Sequence, residues 1–395
     1  MTARPPLAPH RPLFLIGGLL WMASSAWWMV QLLRPVPMPL PTAGLHSLLI
    51  SLSFMPCFIA GFAFTVVPRW LGLPPVDARC LGVSTAALLL GWLLALLAVG
   101  PLASADILAG GLALAALGLA GLAGQLLALC RQAAARDAVH AYALAAGLAL
   151  CAVALVIAAA GAALMQPLLL RQAVRLGLWF GIASVFAVAL QRLTPFLHQE
   201  GRRAPSLLLL LLGGLWLRGA LDLAAPWLGE PPAWLALPAA LACASLAALL
   251  LRAGLRRELA AALRTPLLAQ LHLGLLWLVL SFALEAVALL LASIAHAGRL
   301  GLLPLHALSL GFMGSTLLAM VSRVSAVQHG RSVAVDVLLW GLQGLLQILT
   351  LARLLGAVIP GLLAPAATGF ALLALGWTLR YGPWLLRGRT NTDKD

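Results

Sequence analysis

Apolar residues run through this chain in blocks of about twenty, separated by short stretches that carry nearly all of the charge. At 1.5 Å per residue a block of that length crosses a ~30 Å hydrocarbon core as a helix. The pattern predicts twelve transmembrane helices, at 13–33, 46–67, 81–100, 107–129, 139–163, 173–191, 206–225, 233–251, 267–292, 302–321, 333–355 and 360–380. In lipid every backbone polar group must be paired inside its own segment, and these runs are continuous rather than alternating, which excludes a β-barrel. The fold class is all-α, a polytopic membrane helix bundle. Residues 1–395 read as a single integral-membrane domain, with 390–395 a disordered tail.

Composition agrees, with 63% hydrophobic and 9% charged residues. A net charge of +14 would suggest nucleic acid for a soluble protein. Here the basic residues sit at span ends, where they set orientation, so no nucleic-acid partner is expected and membrane lipid is. With the N-terminus inside, Lys and Arg favour the inner side by roughly three to one, which puts both termini in the cytoplasm. The first span has Arg4 and Arg11 before it and a patch, Ala23-Ser24-Ser25-Ala26, that resembles a signal cleavage site. Its apolar run continues to Leu33, too long for a signal core, so it reads as an uncleaved anchor. The longest polar stretch, Arg252 to Thr265, makes only a short surface helix or loop. Five cysteines without close spacing read as free thiols, not as a zinc or iron–sulfur site.

The chemistry rests on histidines. Of the eight, His10, His140, His198 and His329 fall at inner span ends or loops and His296 in an outer loop, where a solvated or interfacial role suffices. His46, His272 and His306 lie within spans, where ionisable residues are functional candidates by default. His46 and His306 start the second and tenth spans, both toward the outer face, and each span runs to an arginine, Arg69 or Arg323. Two neutral imidazoles at one depth suit the axial positions of a haem iron and need no buried countercharge. In α-helical register Ser53, Cys57 and Gly61 share a face with His46, and Ser309, Met313, Thr316 and Met320 share one with His306. Such stripes either leave a slot for a flat cofactor or let helices approach closely. Pro56 is expected to kink the second span.

His272 falls near the inner end of the ninth span, a helix length from the other two. It would serve a second metal or haem site near Arg69, Arg192 and Arg323, or hydrogen-bond within the bundle. Glu285 is the deepest carboxylate, costing roughly 2–3 kcal/mol unless paired or protonated, and is a candidate proton-handling group. Arg218 and Asp222, four apart, are expected to form a structural ion pair. A six-plus-six repeat does not map the second span onto the tenth, which weakens a transporter reading.

These residues give the chain a resemblance to the NnrS family of bacterial inner-membrane proteins. The family's opening Arg-Pro-Phe-Phe-Leu is close to Arg11-Pro12-Leu13-Phe14-Leu15. The end of its second span is close to Ala60-Gly61-Phe62-Ala63-Phe64-Thr65-Val66-Val67-Pro68-Arg69-Trp70. Its Arg-x-x-Pro-Phe corresponds to Arg192–Phe196, its Leu-His-Leu-Gly to Leu271–Gly274, and its most specific span to His306–Arg323. Where the family has His-x-His-Glu, only His46 is kept, with Leu48 and Leu49 in the other places. Where it has Gly-His-Thr-Gly-Arg, residues 327–331 displace the histidine by one, to His329. The chain is thus similar to a divergent member.

The resemblance implies haem and copper, and a role in nitric oxide metabolism and resistance to nitrosative stress. It implies haem b held between the second and tenth helices by His46 and His306, copper by family alone, and a redox partner or nitric oxide as the interacting species. The architecture is also similar to the catalytic subunit of haem–copper oxidases, whose second and tenth spans ligate a low-spin haem. Those enzymes need further histidines in the sixth and seventh spans; 173–191 and 206–225 hold none, so a respiratory oxygen or nitric oxide reductase site is not expected. No complete catalytic constellation is visible. The alternative is a cofactor-free transporter or channel with a histidine-lined path.

Overall fold

Each apolar block becomes a helix in the computed structural model, which describes residues 7–132, 138–194, 205–229, 231–255, 264–295, 300–330 and 337–387. The 390–395 tail, His198, His296 and most of the 252–265 stretch lie outside the described residues. Among the described residues, twelve helices are long and apolar enough to span a membrane: His10–Leu33, Thr42–Leu71, Ala78–Ala98, Ala105–Gln132, Val139–Ala163, Pro167–Leu193, Ser206–Leu228, Ala233–Gly254, Pro266–Ile294, Leu303–Gln328, Val337–Leu355 and Pro360–Leu386. They are numbered here as first to twelfth spans. No strand occurs among the described residues.

The spans are not alike. In the second, sixth and tenth, 89%, 83% and 72% of the apolar window is buried, against 22–50% in the rest. The same three carry a π-helical segment, at Leu49–Ser53, Gly177–Ala183 and Ala307–Gly314. A buried, π-interrupted helix is therefore the second member of each successive set of four spans. The internal period is four, not the six tested on the sequence.

The chain divides into two compact units. One comprises 1–185, 324–331 and 371–395; the other 186–323 and 332–370. In the first unit, the first, second and twelfth spans meet in an aromatic cluster. Trp21 stacks on Phe54 at 5.6 Å between ring centroids, and Phe58 meets Trp377 edge-on at 5.1 Å. Arg11 closes this group by donating from Nε to the Leu385 carbonyl at 2.8 Å and from Nη2 to the Leu386 carbonyl at 2.7 Å, satisfying carbonyls at the end of the twelfth span. The third and fourth spans approach until backbones touch. A Cβ on Gly111 would stand 2.7 Å from the Gly91 carbonyl and 2.8 Å from the Ala95 nitrogen, so only glycine fits.

In the second unit the ninth span packs on the tenth. Gly311 lies against the Trp277 indole, and Gly274 against the Thr316 hydroxyl. Trp277 donates its indole N–H to Gln347 of the eleventh span, and Gln347 in turn donates to the Ser315 hydroxyl at 3.0 Å. One polar chain thus ties three spans just beyond the π segment of the tenth.

Candidate functional site around the in-span histidines

His46 lies in the first turns of the second span, which starts at Thr42, earlier than the apolar run suggests. Pro41 immediately precedes this start, and its carbonyl accepts from the Gly44 and Leu45 backbone N–H groups. The His46 ring stacks on Trp28 of the first span, with centroids 3.9 Å apart and planes at 25°. The indole therefore fixes the imidazole plane. Three residues on, the helix widens into its π segment. Pro56 has no N–H and its ring presses on the carbonyl four residues back, at Leu52, which falls inside Leu49–Ser53. The disruption expected from Pro56 is thus a π-helical turn. Side chains cover carbonyls there: the Ser51 hydroxyl donates to Ser47, the Ser53 hydroxyl to Leu49, and the Cys57 thiol to Ser53.

His306 lies at the start of the tenth span, two residues after Pro304. Its Nδ1 is 2.8 Å from the Leu302 carbonyl oxygen. A carbonyl only accepts, so this contact assigns the proton to Nδ1 and leaves Nε2 as the basic nitrogen. Metal-binding histidines are commonly held this way. The π segment Ala307–Gly314 begins at the next residue.

The π segments correct the expected stripes. An extra residue in one turn rotates everything beyond it by roughly 100° relative to an α-helix. His46 therefore does not share a face with Ser53, Cys57 and Gly61, nor His306 with Thr316 and Met320. The small residues serve packing instead. Ser53 meets Ser24 of the first span at 3.1 Å between hydroxyl oxygens. A Cβ on Gly61 would stand 2.7 Å from the Phe14 ring, and Thr316 abuts Gly274. Sequence hints of this were Pro56 and the in-span pairs Gly177/Gly181 and Gly311/Gly314.

The remaining candidates are dispersed. His272 is buried, and its Cε1 lies 3.2 Å from where a Cβ on Gly254 of the eighth span would be. Glycine there makes room for the ring. Arg69 lies in the last turn of the second span, and the His10 ring meets Phe14 edge-on. Arg323 is exposed in the tenth span. Glu285 pairs with Arg218: Nε to Oε1 is 2.6 Å, whereas Arg218 Nη1 to Asp222 Oδ1 is 3.9 Å. The expected Arg218–Asp222 pair exists, and the closer partner was missed because it lies two spans away. Among the described residues no group of three or more His, Cys, Asp or Glu is placed to hold a metal ion.

The curated proteins compared with this chain include no match. The sequence pattern of the family described as NnrS protein matches residues 7–389, from before the first span to beyond the twelfth, and the chain belongs to the NnrS family.

Proposed function

We propose that this NnrS-family membrane protein binds haem b through His46 and His306 and serves the bacterial response to nitric oxide and nitrosative stress, in the inner membrane with both termini cytoplasmic. One observation carries the reading: the 2.8 Å contact between His306 Nδ1 and the Leu302 carbonyl, which presents Nε2 as a ligand nitrogen. The Trp28 stack supports it by fixing the plane of the His46 ring. The two side chains thus fit a haem iron in donor type and in the restraint placed on each ring. Bound there, haem b would supply an iron able to exchange an electron, or to take nitric oxide if one of the two imidazoles left it.

The residues of the chain have defined parts in this reading. Leu302 holds the His306 tautomer, Trp28 resists rotation of His46, and the π turns set how each imidazole is aimed relative to the helix below it. His272, buried in the ninth span, is the candidate for a second metal. Copper, implied by the family, is assigned no ligand set.

The test is a spectrum of the full-length protein purified after expression with ample haem supply. The reading predicts a Soret band and a b-type pyridine haemochrome at about one haem per chain. A colourless preparation with full helix content would overturn it.

A further inference from the structure

The buried face of the eleventh span ends on a charge. Leu339, Leu342, Gln343, Leu346, Leu349 and Thr350 are buried and recur at the intervals that trace one side of an α-helix. Arg353 continues that series and is half-buried, two residues before the span ends at Leu355. Its side chain leaves from the protein-facing side of the helix, not from the lipid-facing side open to an arginine that only snorkels. Packing then places it at the level of His306. The Leu346 methyl carbons lie 3.3 and 3.5 Å from where a Cβ on Gly314 of the tenth span would be, and Arg353 follows Leu346 by seven residues, on the same face. Successive spans cross in opposite directions. Arg353 therefore stands about 10 Å beyond Leu346, and His306 about 12 Å or less from Gly314 the same way. The segment Leu303–His306 packs against the eleventh span, as this requires. Among the described residues Arg353 has no ion-pair partner. A cation within a span is costly unless an anion meets it.

We infer that Arg353 holds a propionate of the haem ligated by His306, an inference that rests on the haem reading above. Haem b carries carboxylates on one edge of its ring, and the guanidinium fork matches a carboxylate with two parallel N–H···O bonds. Each group neutralises the other in a place where either alone is poorly solvated. The pair also orients the cofactor. An imidazole ligand leaves the macrocycle free to turn about the iron–nitrogen bond, and a second anchor on a neighbouring helix stops that rotation. A lipid phosphate offers the same fork a similar anion. The protein-facing position of Arg353 and its level with His306 favour the propionate.

The experiment loads full-length protein with haem b or with its dimethyl ester, which lacks the carboxylate charges, and times porphyrin loss to apomyoglobin from the Soret band. Wild type is expected to lose the ester about tenfold faster than haem b. Arg353→Gln should lose haem b about tenfold faster than wild type does, yet lose the ester no faster, because the partner is then already gone. Arg353→Lys, which keeps the charge without the fork, should fall between, and helix content should stay unchanged in both variants. The propionate bending band of the resonance Raman spectrum should also shift between wild type and Arg353→Gln. A substitution that speeds loss of the ester as much as loss of haem b would give Arg353 a structural or lipid-binding role and overturn the proposal. Equal retention of haem b by wild type and Arg353→Gln overturns it too, as does an unmoved Raman band. Wild-type protein that takes up neither porphyrin would overturn the haem reading itself, and this inference with it.

Discussion

Nε of Arg218 on the seventh span stands 2.6 Å from Oε1 of Glu285 on the ninth, closer than the same guanidinium comes to Asp222 on its own helix, at 3.9 Å. The Glu285 side chain is only 8% exposed and that of Arg218 22%, so the pair is shielded from water. Removing one partner of such a pair leaves a charge in a poorly solvated place. Arg218→Met should destabilise the protein by about 2–4 kcal/mol, and Glu285→Gln by less, because it leaves a cation that can reach Asp222. Combining them should recover part of the loss, with a coupling of about 1–3 kcal/mol. Reversible unfolding in mixed detergent, analysed as a double-mutant cycle, measures this; additive effects would mean that the pair does not interact.

The close approach of the third and fourth spans makes a sharper test of packing. A Cβ on Gly118 would strike the backbone of Leu88 and Ser84, whereas one on Gly110, on the same helix, meets nothing within 4 Å. Gly118→Ala should cost about 1–3 kcal/mol through overpacking. Gly110→Ala should be neutral or slightly stabilising, since alanine favours the helix. Thermal stability of the two variants in one detergent decides; equal melting temperatures would contradict the backbone contact.

Outside the membrane spans, Asp77 holds the loop before the third span to the N-terminal segment. Its carboxylate accepts from the Arg79 backbone N–H at 3.0 Å, from Arg79 Nη1 at 3.1 Å and from the Leu7 N–H at 3.3 Å. The first of these chiefly holds its pKa below the usual 3.8, with the Leu7 contact and the Arg79 charge adding to it. A lowered carboxylate pKa gives a contribution that is full above the unfolded-state value and lost as pH falls through the folded one. Amide exchange at Leu7 should therefore be protected near neutral pH and lose that protection below about pH 4. In Asp77→Asn the pH dependence should flatten, and an unchanged profile would refute the tether.

His272 separates structural from ligand histidines. Its ring fills space left by Gly254, so His272→Ala should leave haem content and the Soret maximum as in wild type while lowering thermal stability by about 1–3 kcal/mol, the cost of a cavity. Loss of haem in this variant would make it a ligand.

The existence of the spans was legible because continuous apolar blocks leave a backbone in lipid no choice but helix. Thr42 was missed as the start of the second span because the proline-rich stretch Arg34–Gly44 reads as a turn-rich loop, although the turn after Pro41 already directs the chain into helix. The helical face below His46 was misread for a different reason. Hydrophobic periodicity assumes one uniform helix, and a π turn at Leu49–Ser53 shifts that phase while leaving hydropathy unchanged. Pro56 announced a disruption but not its form. The Arg218–Glu285 pair was invisible since a local rule finds i,i+4 partners and cannot see a neighbouring helix. The three most buried spans, every fourth along the chain, were hidden because burial against protein and burial in lipid select the same apolar residues.

The central claim is that His46 and His306 are the two axial ligands of a haem b, and the most direct measurement is magnetic circular dichroism of the ferric protein with each histidine changed. The account predicts a low-spin, bis-imidazole near-infrared band in wild type, replaced by a high-spin signal in both His46→Ala and His306→Ala, with each signal returned toward low spin by added imidazole. A wild-type, bis-imidazole spectrum retained unchanged in both variants would contradict it.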